Sequence, residues 1–170
     1  MKTLFKRMIG ASRFDVGTYE QVEADRSSTA EAFLVVIIAS LAAAIGAGAR
    51  DLTSVAGTTI ALLLTWVIWV ALTYIIGTRL LPEPQTHADI GEVLRTTGFS
   101  ASPGVLRFLA VFPGLALPTF IGITVWMLFT FVIAIRQALD YGSSRRALAV
   151  CVLGWLIHGI LFFAFVRAAI

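Results

Sequence analysis

Acidic residues collect beside the apolar segments of this 170-residue chain, where they could bind a cation or pair with arginines. The stretch "TYEQVEAD", residues 18–25, carries Glu20, Glu23 and Asp25 just before the first long apolar run. Hard cations prefer clustered carboxylate oxygens, whereas neighbouring guanidinium groups would turn the same acids into ion pairs. The candidate residues for a binding mouth or an ion-pair network are Glu20, Glu23, Asp89, Glu92, Arg95, Arg136 and Asp140.

Helical geometry favours the ion-pair network. Each helical residue advances by about 100°, so Glu20 and Glu23 lie about 60° apart and can share a partner, while Asp25 faces away from both. We predict that Glu20 and Glu23 hold a short N-terminal helix against arginines at the inner ends of the membrane helices. Replacing Glu23 with Gln is then expected to loosen that helix. Because the acids show no ordered ligand-loop spacing, no metal or other cofactor is predicted.

Two ionisable side chains, Arg107 and His158, lie within apolar stretches. A charge inside a crossing helix is by default a candidate for function, although a long arginine side chain can also reach the membrane interface. Arg107 is therefore predicted either to reach the interface or to contact a lipid headgroup or solute. His158 is predicted either to form an interhelical hydrogen bond or to relay protons or bind metal.

The segment "TTGFSASPG", residues 96–104, contains Gly98 and Pro103 and is predicted to break or kink a helix. Non-helical backbone at membrane depth is tolerated only where protein buries it or water reaches it. Interrupted helices also mark binding sites in transporters. The break is thus either a simple kink or part of a solute site.

The composition indicates a membrane protein. Hydrophobic residues make up 58% of the chain and charged residues 14%, with a mean hydropathy of +0.89. Soluble proteins average about 45–50% apolar and about 25% charged residues. The single cysteine, Cys151, excludes an intramolecular disulfide, and the scattered basic residues argue against nucleic-acid binding.

Apolar segments predict an all-α membrane helix bundle that forms one domain over residues 1–170, with a short cytoplasmic helical segment before the first span. The third of five transmembrane helices contains the break. The predicted spans are residues 32–49, 55–78, 89–112, 119–137 and 147–166.

Basic residues predict the orientation of these spans. Ten Lys and Arg residues fall on the N-terminal side of the membrane and two, Arg50 and Arg167, on the other. Lys and Arg are enriched in cytoplasmic loops, so the N-terminus is predicted inside and the C-terminus outside.

Three stretches resemble bacterial members of the Yip (Ypt/Rab-interacting protein) family. They are "YEQVEAD", "LTYIIGTRLLPEPQTHADIGEVLRTTGFSASPGVLR" and "RQALDYGSSRRALAVCVLGWL". The resemblance implies a five-helix membrane protein with a cytosolic N-terminus, and a bacterial inner-membrane location. Eukaryotic members are linked to Rab GTPases and early secretory traffic, and they self-associate. Their long N-terminal region with an Asp-Leu-Tyr-Gly-Pro-type motif is missing here, which argues against Rab-type GTPase binding.

These observations predict a non-enzymatic membrane protein that acts through protein or lipid interaction. Its expected partners are membrane lipids, copies of itself or other membrane proteins. The alternative is a small transporter, channel or lipid-moving protein that uses the broken third helix and Arg107. No Gly-x-Ser-x-Gly, His-Glu-x-x-His or phosphate-loop motif supports an enzyme.

Overall fold

The computed structural model describes the backbone of residues 2–168, and the side chains of all of these except residues 158, 159 and 161–168. Seven α-helices make up most of the described chain, which confirms the all-α prediction. They are α1 (Lys2–Ser12), α2 (Val16–Ala24), α3 (Ser28–Gly46), α4 (Leu52–Ile75), α5 (Ile90–Ser100), α6 (Ala116–Ala138) and α7 (Ser144–Ala168). A π-helical turn, Ile76–Leu80, extends α4, and a 3₁₀ segment, Ser102–Val111, follows α5.

Three of the described helices are long and apolar enough to cross a membrane: Ser28–Gly46, α4 with its π turn over Leu52–Leu80, and Ala116–Ala138. The first, second and fourth predicted spans therefore correspond to single helices. The third and fifth spans, and with them the count of five crossings, stay predictions.

The predicted third span is built from two kinds of helix. α5 has 11 residues and the 3₁₀ segment has 10. Their lengths are about 16 Å and about 20 Å, so neither crosses roughly 30 Å of hydrocarbon alone. Pro103 lies in the first turn of the 3₁₀ segment, where its missing N–H removes no helical hydrogen bond.

We call α5 and the 3₁₀ segment together, residues 90–111, the composite helix. It packs closely against α3. A Cβ atom added to Gly98 would lie 2.7 Å from the Ala32 Cβ, and one added to Gly104 would lie 3.2 Å from the Ala39 Cβ. Near the end of α3, a Cβ on Gly46 would overlap the carbonyl oxygen of Arg107. Small residues thus let the backbones approach closely, as in other membrane helix pairs.

Candidate functional site at the docked N-terminal helices

Helices α1 and α2 pack against the bundle through a shared apolar cluster. Ala11, Tyr19 and Val22 are fully buried in this cluster, together with Phe99 and Ala134. The Tyr19 hydroxyl donates a hydrogen bond to the Ala11 carbonyl at 3.2 Å, which ties α2 to α1. Burial places these two helices in a defined position beside α5 and α6.

A second hydrogen bond holds the C-terminal end of α1 against α6. The indole N–H of Trp126 in α6 donates to the Ser12 carbonyl at 2.8 Å. Ser12 is the last residue of α1, and the last four carbonyls of a helix have no partner within that helix. Trp126 therefore satisfies one of these carbonyls and anchors α1 to the bundle.

Arg95 makes the main polar contact between α5 and α2. Its side chain is buried, with 4% of the residue exposed. Its Nε donates to the carbonyl oxygens of Val22 at 3.0 Å and Glu23 at 2.9 Å, and its Nη2 also bonds to the Glu23 carbonyl. These carbonyls belong to the last turn of α2, where a positive charge also complements the helix dipole. We call this contact the Arg95 clasp.

The Arg95 clasp differs from the predicted contact, which was an ion pair between arginines and the carboxylates of Glu20 and Glu23. An arginine does hold the N-terminal helix, but it bonds to backbone oxygens. Within the described residues, no arginine lies within ion-pair distance of the carboxylates of Glu20 or Glu23. The Glu20 carboxylate instead accepts a hydrogen bond from the Gln137 side-chain amide at 3.3 Å.

Glu23 lies half-buried among other charged groups. Burial raises the pKa of Glu23 to about 7, with Asp140, Glu92 and Glu20 acting in the same direction and Arg95 in the opposite one. Four of the predicted acids, Glu20, Glu23, Glu92 and Asp140, thus lie near one another beside the clasp. In the described part of the chain, no group of His, Cys, Asp or Glu has an arrangement that would hold a metal ion.

The other predicted residues of this set have local roles. Asp89 accepts a hydrogen bond from the Glu92 backbone at 2.9 Å, and Glu92 accepts one from the Asp89 backbone at 2.8 Å, so the pair caps the start of α5. Arg136 donates to the Tyr141 carbonyl at 3.2 Å. Asp140, with φ of +52°, takes the left-handed position after α6 that glycine usually occupies.

Three ion pairs were not predicted from the sequence. Arg7 lies 2.7 Å from both Asp25 and Glu31, and Arg146 lies 3.3 Å from Glu83. The pKa of Asp25 is lowered to about 2, mainly by the hydrogen bond from the Ser27 hydroxyl and next by the hydrogen bond from Arg7. The one available signal was that Asp25 faces away from Glu20 and Glu23 on a helix, which indicates a separate partner.

The intramembrane candidates occupy different environments. Gly98 and Pro103 are both buried, and Gly98 packs against Ala32 of α3. Arg107 and Trp66 line a cavity of about 120 Å³ between α3, α4 and the 3₁₀ segment. The side chain of His158 lies outside the described residues, so its two interpretations stay predictions.

A model of the Yip1 domain matches residues 15–166. The chain belongs to the Yip1 family. The match covers the Arg95 clasp and the composite helix, and starts after α1. No curated protein and no solved structure matches the chain at a significant level.

Family membership and the three apolar helices together identify a multi-pass membrane protein. Yip family members are generally non-enzymatic membrane proteins, and the family is linked to membrane trafficking.

Proposed function

We propose that this Yip1-family chain is a non-enzymatic membrane protein that acts by binding lipid and other membrane proteins through its docked helices, α1 and α2. The partner protein is either a second copy of the chain or another membrane protein. The observation that supports this is the Arg95 clasp. Because Arg95 uses the backbone oxygens of α2, the carboxylates of Glu20 and Glu23 stay free of arginine and available to a partner.

The exposed surface of α1 and of the segment that leads into α2 suits a membrane interface. Phe5 is 65% exposed, and Phe14 and Val16 are each more than 40% exposed. Exposed basic residues, Lys2, Lys6 and Arg13, accompany them. Apolar side chains mixed with basic ones are typical of helices that lie among lipid headgroups.

The acidic side of α2 suits a cationic segment of a partner protein. Glu20 is exposed, and Glu23 lies half-buried beside Asp140 and Glu92. A basic segment placed here would reduce the repulsion among these acids, which gives the contact a preferred charge.

Site-specific crosslinking tests the proposal. A photo-reactive amino acid replacing Glu20 should produce adducts with a second copy or another membrane protein when intact membranes are irradiated. Arg95→Gln should reduce the yield several-fold, because the clasp positions α2. Arg145→Gln is the matched control, since Arg145 is exposed and its side chain makes no ion pair or hydrogen bond with the described residues.

Two results would contradict the proposal. Adduct yields that stay the same in Arg95→Gln would show that the docked position of α2 is irrelevant. Reproducible ion, solute or lipid flux through liposomes containing the pure protein, abolished by Arg107→Ala or Gly98→Leu, would instead support the transporter alternative.

A further inference from the structure

The cavity beside Arg107 is lined mainly by small and apolar residues, yet three polar side chains border it, those of Ser40, Trp66 and Arg107. Its walls include Ala39 and Ala43 of α3, Leu62 and Trp66 of α4, and Gly104 and Arg107 of the 3₁₀ segment. Its volume of about 120 Å³ is well above the roughly 10–15 Å³ that one buried water needs by the same measure. The cavity therefore has room for a headgroup-sized moiety.

Two of these side chains, Trp66 and Arg107, carry a donor that has no acceptor among the described residues. The Arg107 Nε and the Trp66 Nε1 are buried atoms with no hydrogen-bond partner in the described part of the chain. No ion pair joins the Arg107 guanidinium to any described carboxylate. A polar group that is buried without a partner destabilises the fold, and a charged group does so more strongly. Two such donors beside one cavity indicate that the missing partner is an anion rich in acceptor oxygens.

The position of the cavity indicates where this anion comes from. The Arg107 backbone packs against Gly46, the last residue of α3, so Arg107 lies near the end of a membrane-crossing helix. From there the cavity wall follows α3 from Ala43 to Val36, a rise of about 10 Å toward the middle of the helix. A charged group at the helix end followed by an apolar wall matches a lipid headgroup and the start of its acyl chain.

We propose that this cavity binds the phosphate headgroup of an anionic glycerophospholipid, with Arg107 and Trp66 as the recognition residues. The planar guanidinium can bond to two phosphate oxygens, and the indole N–H can donate to a third. The first methylene groups of one acyl chain lie along Ala43 and Ala39. This site is separate from the docked helices, so its failure would leave the proposed function standing.

Lipid binding to the purified full chain tests this site. Delipidated protein in neutral detergent is mixed with dioleoylphosphatidylglycerol, dioleoylphosphatidylcholine or inorganic phosphate, and native mass spectrometry and thermal unfolding are recorded. For the wild type, we expect one retained phosphatidylglycerol and a rise in Tm, with neither effect from inorganic phosphate. Arg107→Gln should lower affinity at least tenfold, and Trp66→Phe should lower it severalfold.

Arg50→Gln is the matched control. Arg50 is exposed and lies in the loop directly after α3, so this variant removes the same charge from the same end of the bundle without touching the cavity. Its lipid binding should equal that of the wild type. Without lipid, Arg107→Gln should be at least as stable as the wild type, because it removes a half-buried charge that has no ion-pair partner among the described residues.

A second variant keeps the test decisive if Arg107→Gln fails to fold. Ala43→Phe retains Arg107 and fills the cavity, so it should abolish phosphatidylglycerol binding as well. Unchanged binding in the folded Arg107 variant or in Ala43→Phe would overturn the proposal. An equal response to inorganic phosphate would show a free-anion site, and an equal response to phosphatidylcholine would show that the lipid's net charge is not recognised.

Discussion

A buried arginine is stable only when acceptors surround its guanidinium, and Arg95 finds them in the backbone of α2. Charge complementarity alone predicted that Glu20 and Glu23 pair with arginines at the inner helix ends, of which Arg95 is one. The sequence does not show which carbonyls at the end of α2 lack a helical partner, because this depends on where α2 ends and how it packs. The sequence therefore offered Arg95 as one of several candidate arginines and did not indicate the acceptor oxygens.

Glu23→Gln is the first prediction, and the structure reverses the sign expected from the sequence. The pKa of Glu23 is raised from 4.5 to about 7 by burial and by Asp140, Glu92 and Glu20, against the effect of Arg95. The docked state therefore binds a proton more tightly than the undocked state does, and docking weakens as pH rises from about 4.5 through about 7. Glutamine mimics the protonated side chain.

Limited proteolysis at residues 10–25 measures this effect. At pH 8, Glu23→Gln should be cleaved more slowly than the wild type, and at pH 5 the two should be cleaved at similar rates. Glu20→Gln, an exposed change on the same helix, should have a smaller effect. Faster cleavage of Glu23→Gln at pH 8 would instead support a carboxylate that pairs with an arginine.

Tyr141 gives the second prediction. This buried residue follows α6, and its hydroxyl lies 2.9 Å from the Gly77 carbonyl oxygen and 2.8 Å from that of Leu81, at the π turn. Tyr141→Phe should lower the free energy of unfolding by about 1–3 kcal/mol, because it leaves buried carbonyls without a donor. Tyr74→Phe is the control, since the Tyr74 hydroxyl makes no hydrogen bond with the described residues. Equal unfolding midpoints for the two variants would contradict this role for Tyr141.

At the scale of single elements, the glycine and proline residues predicted where the third helix is interrupted, but not the kind of helix that follows the interruption. Gly98, Pro103 and Gly104 correctly predicted that regular helix stops between residues 96 and 104. They did not predict a 3₁₀ segment of 10 residues, since such helices rarely exceed 3–4 residues. The fourth predicted span, residues 119–137, ends one residue before α6 does.

Gly98→Ala tests the contact between α3 and α5. The added Cβ would lie 2.7 Å from the Ala32 Cβ and 3.1 Å from its carbonyl oxygen, so the helices must separate. We expect a loss of about 1–3 kcal/mol in the free energy of unfolding. The double change Gly98→Ala with Ala32→Gly should recover part of this loss.

Gly122→Ala is the control for Gly98→Ala, because it makes the same change in a helix where there is room for a side chain. Gly122 lies within α6, and a Cβ there meets nothing within 4 Å. Alanine has a higher helix propensity by about 1 kcal/mol, so this variant should be neutral or slightly more stable. A Gly98→Ala protein as stable as Gly122→Ala would show that the contact tolerates a side chain.

At the scale of the whole molecule, apolar periodicity was sufficient for the class of fold and for the helices that span alone. The family came from the resemblance of three stretches to Yip proteins, and the Yip1 domain match over residues 15–166 establishes it. The docking of α1 and α2 was harder to predict, since it depends on contacts such as Trp126 with Ser12 and Arg95 with Val22, far apart in the chain. Spacing rules describe neighbours on one helix and not such distant pairs.

The last prediction is that the composite helix crosses the membrane. The side of the membrane on which Leu115 lies distinguishes this from the alternative. Leu115 is exposed and lies between the 3₁₀ segment and α6. If residues 90–111 cross, Leu115 faces the outside, as the distribution of Lys and Arg predicts. If only the three long apolar helices cross, Leu115 faces the cytoplasm and Ser144 the outside.

In a Cys151→Ala background, a membrane-impermeant maleimide added to intact cells should label Leu115→Cys and the positive control Thr53→Cys. It should not label Gln85→Cys or Ser144→Cys until the membrane is opened. Protection of Leu115→Cys with labelling of Ser144→Cys would place the composite helix on one side of the membrane.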